Sequence, residues 1–324
     1  MKIAVVGCGA VGSFYGGRLC RAGHEVHFLL RSDYEVVRER GVWIRSVDGD
    51  FHFRPQAARE AGEIGPSDWV LVALKTTANR ELGRWIPPLV GPETRLLTLQ
   101  NGLGNEEALA AVAGSERALG GLCFVCLNRI EPGVIRHTAH GNVVLGEHRR
   151  LPGRAALETA ALFRSAGVEC RVVENLDQAH WEKLVWNIPF NGLGVAGSVG
   201  ADAFLGGGRP AVPARRATVP VDALLADPRW ERLVRGLMGE VIAAGRALGY
   251  PLDPAWAEEM VERSRCMGAY RASTLLDYER GLPLELESLF CEPLRRARAA
   301  GVSTPLLGRL CEVLTALDAV SGGP

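Results

Sequence analysis

Apolar positions come in short continuous runs along the first half of the chain and at helical spacing along the second. Residues 2–6 (KIAVV), 24–30, 69–74 (WVLVAL) and 95–99 read as short strands bounded by turn residues, and 2–6 and 69–74 are the apolar runs of strands buried on both faces. A helical pattern fills the gap between the first two and reaches Arg21. The stretch GLCFVCL reads as a further strand, 133–146 (GVIRHTAHGNVVLG) as a hairpin, 154–166 as a helix and 168–173 as a last strand. Strands alternating with helices predict an α/β domain with a largely parallel sheet, closing near Glu174. Beyond it the spacing turns helical, over 177–191, 229–248 (ending at Gly249), 254–278 and 284–300. Residues 200–228 are rich in Gly, Ala, Pro and Arg, and within them 201–226 are expected to form a mobile loop. The division expected is 1–174 for the α/β part and 175–324 for an all-helical part.

The helix over 177–191 (DQAHWEKLVWNIPFN) carries two stripes. Trp181, Leu184, Val185 and Ile188 make the apolar one, and Lys183, Asn187 and Asn191, four residues apart, make a polar one. Asp177 is a plausible N-cap, and Pro189 removes one backbone donor and predicts a kink. One cation and two carboxamides in a row, with no carboxylate among them, suit a small oxygen-rich molecule. A solvated helix face with a snorkelling lysine would have the same spacing.

The N-terminal run opens into Gly7-Cys8-Gly9-Ala10-Val11-Gly12 and then a helix. Directly after a strand, such a turn reads as a dinucleotide-binding fingerprint. The glycines serve a tight turn, close approach to a pyrophosphate and close helix–strand packing. The first part is therefore expected to be a Rossmann-type dinucleotide-binding domain. At the end of the second strand the acid that would hold the ribose hydroxyls of NAD is replaced by Arg31 and Ser32. A guanidinium there suits a 2′-phosphate, so the cofactor expected is NADP(H). Asp33 is better placed as the N-cap of the next helix. Lys75 and Asn101 stand just past the carboxyl ends of two strands, where ligands of open α/β sheets lie.

Charge and composition narrow the picture. Lys plus Arg equals Asp plus Glu at 37 each, so neither nucleic acid nor an anionic membrane is an expected partner. No apolar run is long enough to span a bilayer. Eight cysteines without a short-spaced framework read as free thiols of a cytoplasmic protein. Cys123 and Cys126 lie in a strand-like run where i and i+3 face opposite ways, and His137 and His140 lack a metal-ligand spacing partner. No metal site is expected. The oligomeric state is not readable; a homodimer is left open.

With these pieces in place the chain resembles the ketopantoate reductases over nearly its whole length. The resemblance is carried by KIAVVGCGAVG, LVALKT, LQNGLGNEE, WEKLVWNIPFN, STLLDYERG with LELESL, and RRARAAGVSTP. It implies a Rossmann domain, an all-helical C-terminal domain and NADPH-dependent reduction of a small 2-ketoacid. By the resemblance Lys183 is the general acid, Asn187, Asn191 and Ser273 touch substrate, and Lys75, Asn101 and Glu285 lie at the cofactor and its boundary with the substrate. The sequence departs from the pattern at Ala201, where an asparagine is usual, at Phe290-Cys291, where Asn-Gly is usual, and in the length of 201–226. Another NADP-linked β-hydroxyacid or opine-type dehydrogenase of the same plan, or a non-catalytic NADP(H) sensor, would share the fold.

Overall fold

The computed structural model describes residues 1–208, 211, 213 and 216–319. They fall into two compact units, Met1–Ala179 and His180–Pro324.

The first unit is built on a ten-stranded sheet. Its strands are β1 (Lys2–Val6), β2 (Glu25–Leu29), β3 (Val42–Ser46), β4 (Phe51–Phe53), β5 (Gln56–Ala58), β6 (Trp69–Val72), β7 (Arg95–Thr98), β8 (Ala118–Glu131), β9 (Val134–Glu147) and β10 (Cys170–Val172). The spatial order is β4-β3-β9-β8-β7-β6-β1-β2-β5, with β10 paired to β9. From β5 to β8 every pairing is parallel. The alternation of buried side chains explains the continuous apolar runs. Ile3, Val5, Trp69, Leu71 and Leu97 pack on one face, against the Ala10–Arg21 helix. Ala4, Val6, Val70, Val72 and Leu96 pack on the other. Both faces are covered, so a polar residue has no solvated side to occupy. The chain leaves β1 toward β2 on one side and returns through β6 on the other, which makes the end of β1 a topological switch point.

Three expectations change here. Residues 133–146 are not a hairpin of their own. Val134–Glu147 is one long strand that pairs antiparallel with Ala118–Glu131, and the hairpin turn lies at Gly133. Positive φ at His140 and Gly141 bends β9 beside its register shift, and this local bend imitates a turn in the sequence. Strands β3, β4 and β5 were not anticipated. Asp177 does not cap the helix that follows; Asn175 Oδ1 accepts from Gln178 N at 2.9 Å, and the helix starts at Leu176.

The second unit is helical. Its central helix, Leu176–Ala196, contains Pro189 without a break in the helix, and its first four residues, through Ala179, belong to the first unit. Phe190, Leu193, Val195 and Ala196 are buried, as are Leu184, Val185 and Ile188, so the far half of this helix is enclosed on all sides. Gly192 and Gly194 permit that enclosure. A Cβ on Gly192 would run into Leu310 and Phe290, and one on Gly194 into Leu275. Around it lie Pro228–Ala247, whose N-cap Asp227 accepts from Arg229 N at 2.8 Å, and Pro305–Asp318, whose free N–H groups at Leu306 and Leu307 donate to Glu240 at 2.8 Å each.

The expected 254–278 helix is two, Trp256–Arg265 and Ser273–Glu279, and 284–300 is a π turn (Glu287–Cys291) running into Glu292–Ala299. The expected mobile loop also needs correction. Ala201–Leu205 and Val221–Ala226 are helical, Val219 N donates to the Gly194 carbonyl, and Thr218 bonds Glu279. Of the 201–226 segment, residues 209, 210, 212, 214 and 215 lie outside the described residues.

Candidate functional site

The glycine turn realises three different uses of the missing side chain. Gly7 turns the chain at φ +98°, and a Cβ there would overlap the backbone of Ala73 and Leu74 beyond β6. A Cβ on Gly12 would collide with the Gly7 carbonyl, so helix and strand pack at backbone distance. A Cβ on Gly9 would meet nothing within 4 Å. The turn is thus closed below and open at Gly9, with the Ala10–Arg21 helix starting there and no side chain capping its N–H groups. Backbone donors around an open glycine fit a pyrophosphate. Cys8, Ala10 and Val11 line this turn. The Cys8 thiol donates toward the Val5 and Leu29 carbonyls, and burial, then the Asp33 carboxylate, push it well above the ordinary thiol range. It is a neutral packing group.

At the exit of β2, Arg31 and Ser32 are exposed, and the Arg31 guanidinium lies 5.9 Å from the Trp85 ring centroid. Asp33 occupies the N-cap position of Tyr34–Arg40, as expected, but its side chain caps nothing. The carboxylate is buried and turned toward the β8–β9 hairpin. It accepts from Arg129 Nη2 at 2.6 Å, from Ser32 Oγ at 2.9 Å and from the Gly133 N–H at 3.4 Å.

Lys75 is exposed beyond β6, and Asn101 is half-buried beyond β7. A relay of amides joins their two loops. Thr98 Oγ1 donates to Gln100 Oε1 at 2.9 Å, Gln100 Nε2 to Asn79 Oδ1 at 2.7 Å, Asn79 Nδ2 to Asn105 Oδ1 at 3.0 Å, and Asn105 Nδ2 to the Asn101 carbonyl at 3.0 Å. Gln100, Asn79 and Asn105 were missed in the sequence. Their only signal was the density of short amides just past two strands that turn out to be neighbours. The flanking Gly102 and Gly104 both hold φ +87°.

In the second unit Lys183 is half-buried, while Asn187 and Asn191 are buried along the same helical row. Asn191 Nδ2 donates to the Asn187 carbonyl at 3.0 Å, and Asn191 Oδ1 accepts from Thr274 N at 3.2 Å. That bond brings the start of Ser273–Glu279 to the row, and Ser273 is the first residue of this helix rather than an interior one. Glu285 is buried just before the π turn. His137 is used structurally. Its Nδ1 accepts from Ser46 Oγ and its Nε2 donates to the His140 carbonyl, each at 2.8 Å. Among the described residues no group of three or more His, Cys, Asp or Glu could hold a metal ion, and no helix is long and apolar enough to cross a membrane.

The family model described as "Ketopantoate reductase PanE/ApbA" matches residues 3–150, and that of its C-terminal part matches 216–318. The chain belongs to the ketopantoate reductase family. Among its ketopantoate reductase relatives, the 2-dehydropantoate 2-reductase of a Nostoc species is 37% identical over 98% of this chain and 95% of its own. The crystal structure of 2-dehydropantoate 2-reductase from Geobacter metallireducens is 43% identical, with a TM-score of 0.87 over 99% of this chain and 100% of that one. A ternary structure of D-mandelate dehydrogenase with NADH and anilino(oxo)acetate has a TM-score of 0.83 over the full length of both chains at 19% identity, a likeness of fold alone. Membership makes the chain an oxidoreductase acting on a CH–OH group. Two departures from the family pattern are now placed. Ala201 is buried and opens Ala201–Leu205, and Phe290 and Cys291 lie in the π turn.

Proposed function

We propose that this chain reduces ketopantoate to pantoate with NADPH, with Lys183 as the general acid. The observation that carries the reading is the polar row Lys183–Asn187–Asn191, buried at its far end and joined through Thr274 to the helix that begins at Ser273. The open glycine turn and the exposed Arg31 at the exit of β2 support NADPH as the cofactor. When bound, the cofactor supplies a hydride to the keto carbon.

The residues of the chain supply the rest. Lys183 holds a proton and a positive charge at Nζ for the carbonyl oxygen, where negative charge builds up. Asn187 offers a neutral carboxamide to the substrate oxygens. Asn191 has spent its carbonyl oxygen on Thr274 and one N–H on Asn187, so one N–H is left to offer, and its larger part is to seat Ser273. The Ser273 hydroxyl orients the carboxylate. Gly7, Cys8, Gly9, Ala10, Val11 and Gly12 hold the pyrophosphate through the main chain. Lys75 and Asn101 reach the cofactor from the amide-braced loops beside that turn, and Glu285 lies at the boundary with the substrate. All eight cysteines are free, which suits the reducing cytoplasm.

The test is NADPH oxidation across a panel of branched and unbranched 2-ketoacids. Ketopantoate should give the highest kcat/KM. A higher value for another 2-ketoacid would replace the substrate but keep the chemistry, and NADPH binding without turnover of any would remove the reading.

A further inference from the structure

The ion pair of buried Asp33 with half-exposed Arg129 sits where dinucleotide-binding domains choose between their two cofactors. Asp33 follows the exposed Arg31 by two residues, at the end of the loop that leaves β2. In an NAD-selective site a carboxylate near this point accepts from the ribose hydroxyls. Here the carboxylate is present but fully engaged. Oδ1 takes the Arg129 guanidinium at 2.6 Å and the Ser32 hydroxyl at 2.9 Å, and Oδ2 faces the Gly133 N–H at 3.4 Å. Its side chain is 8% exposed and that of Arg129 38%. Ser32 belongs to the loop itself, but the charged partner, Arg129, and the Gly133 N–H come from the hairpin formed by β8 and β9, about a hundred residues on. The charge lies close to the glycine turn, since it is felt by the Cys8 thiol. An unpaired carboxylate so near would repel a ribose 2′-phosphate through a poorly screened medium, and it would be free to accept from a 2′-hydroxyl.

We propose that Arg129 sets cofactor choice by holding Asp33 in an ion pair turned away from the adenosine ribose, and so keeps the loop after β2 selective for a 2′-phosphate. Arg129 is a positioning residue: it acts through Asp33 and need not touch the cofactor. The inference rests on the NADPH reading and extends it from one cation, Arg31, to a suppressed anion beside it.

The experiment measures the Kd of NADPH and of NADH separately, by cofactor fluorescence on the full chain without ketoacid. The variants are Arg129→Met and the double variant Arg129→Met with Asp33→Asn. Arg129→Met should weaken NADPH by on the order of tenfold, as expected for one like charge released near a phosphate, while NADH is held or tightened. Asp33→Asn in the same chain should restore most of the NADPH affinity, because the repelling charge is gone although the ion pair is not remade. Equal weakening of both cofactors by Arg129→Met, without recovery in the double variant, would show that the pair only braces the hairpin and would overturn the inference. The wild-type chain separates the two levels. If it binds NADH as well as NADPH, the NADPH reading fails and takes the inference with it. If it prefers NADPH and Arg129→Met leaves the ratio unchanged, only the inference fails.

Discussion

Lys183 stands at the half-buried end of a helical row whose other two members, Asn187 and Asn191, are buried neutral amides. A group of this kind acts most where the carbonyl oxygen is most negative. Lys183→Ala should lower kcat on the best ketoacid by about 10²–10⁴-fold, with NADPH affinity nearly unchanged. A folded variant with near-normal kcat would take the lysine out of the mechanism. Asn191 should behave differently from Lys183. Its Oδ1 satisfies the Thr274 N–H inside the protein, and removing a buried partner costs about 1–3 kcal/mol. Asn191→Ala should therefore lower the melting temperature as well as raise KM, and a rise in KM at unchanged stability would deny it the bracing part. From the sequence, Asn191 and Asn187 look equivalent, four residues apart on one stripe. The difference between them comes from Thr274, more than eighty residues away, and spacing carries no information about such a partner.

At the scale of single elements, the parts legible in the sequence were those in which one residue type has one geometric use. The turn from Gly7 to Gly12 is such a case, because the tight positive-φ turn at Gly7 and the backbone contact at Gly12 each exclude a side chain. The double-faced burial of β6, and of β1 from Ile3 onward, is another, because it leaves no polar position in the buried run. Strands β4 and β5 were not legible: at three residues each, FHF and QAA are too short to show a period. The cap of the central helix is Asn175 and not the expected Asp177; both residue types cap well, and nothing in the spacing separates them. The π turn Glu287–Cys291 was read as ordinary helix, as nothing in its side chains marks the wider winding. That turn brings Cys291 to Cys311 on the Pro305–Asp318 helix. A hydrogen bond from the Cys311 thiol, assisted by Arg295 and opposed by burial and Glu287, lowers Cys291 to about 7, while Cys311 is raised and remains the donor. The thiolate is the reactive form, so alkylation of Cys291 by iodoacetamide should accelerate as pH rises through about 7. Cys311→Ser keeps a donor, whereas Cys311→Ala should move the inflection back toward the ordinary thiol range. An inflection at Cys291 that ignores Cys311→Ala would refute the pairing.

At the scale of the whole molecule, the two kinds of chemistry are divided between the two compact units. The open glycine turn, Arg31 and the amide relay around Asn101 belong to Met1–Ala179, and the row Lys183–Asn187–Asn191, Ser273 and Glu285 belong to His180–Pro324. Local opening reports on each unit separately, because amide exchange follows the stability of the surrounding segment. A ligand that binds only the folded form stabilises what it touches by RT ln(1 + [L]/Kd), about 2.7 kcal/mol at a hundredfold excess over Kd. NADPH alone should therefore slow exchange first at residues 8–13 and 101–105, where backbone N–H groups and positive-φ glycines face the proposed cofactor. The product pantoate with NADP⁺ should add protection at 183–196 and 273–276, where the row and the Ser273 helix meet. The Thr274 amide should be slow even without ligands, since Asn191 already accepts from it. Protection by NADPH that appears in the row but not in the glycine turn would reverse the assignment of the two units. Protection by pantoate confined to Met1–Ala179 would remove Lys183 and its amides from the substrate site, whatever their spacing.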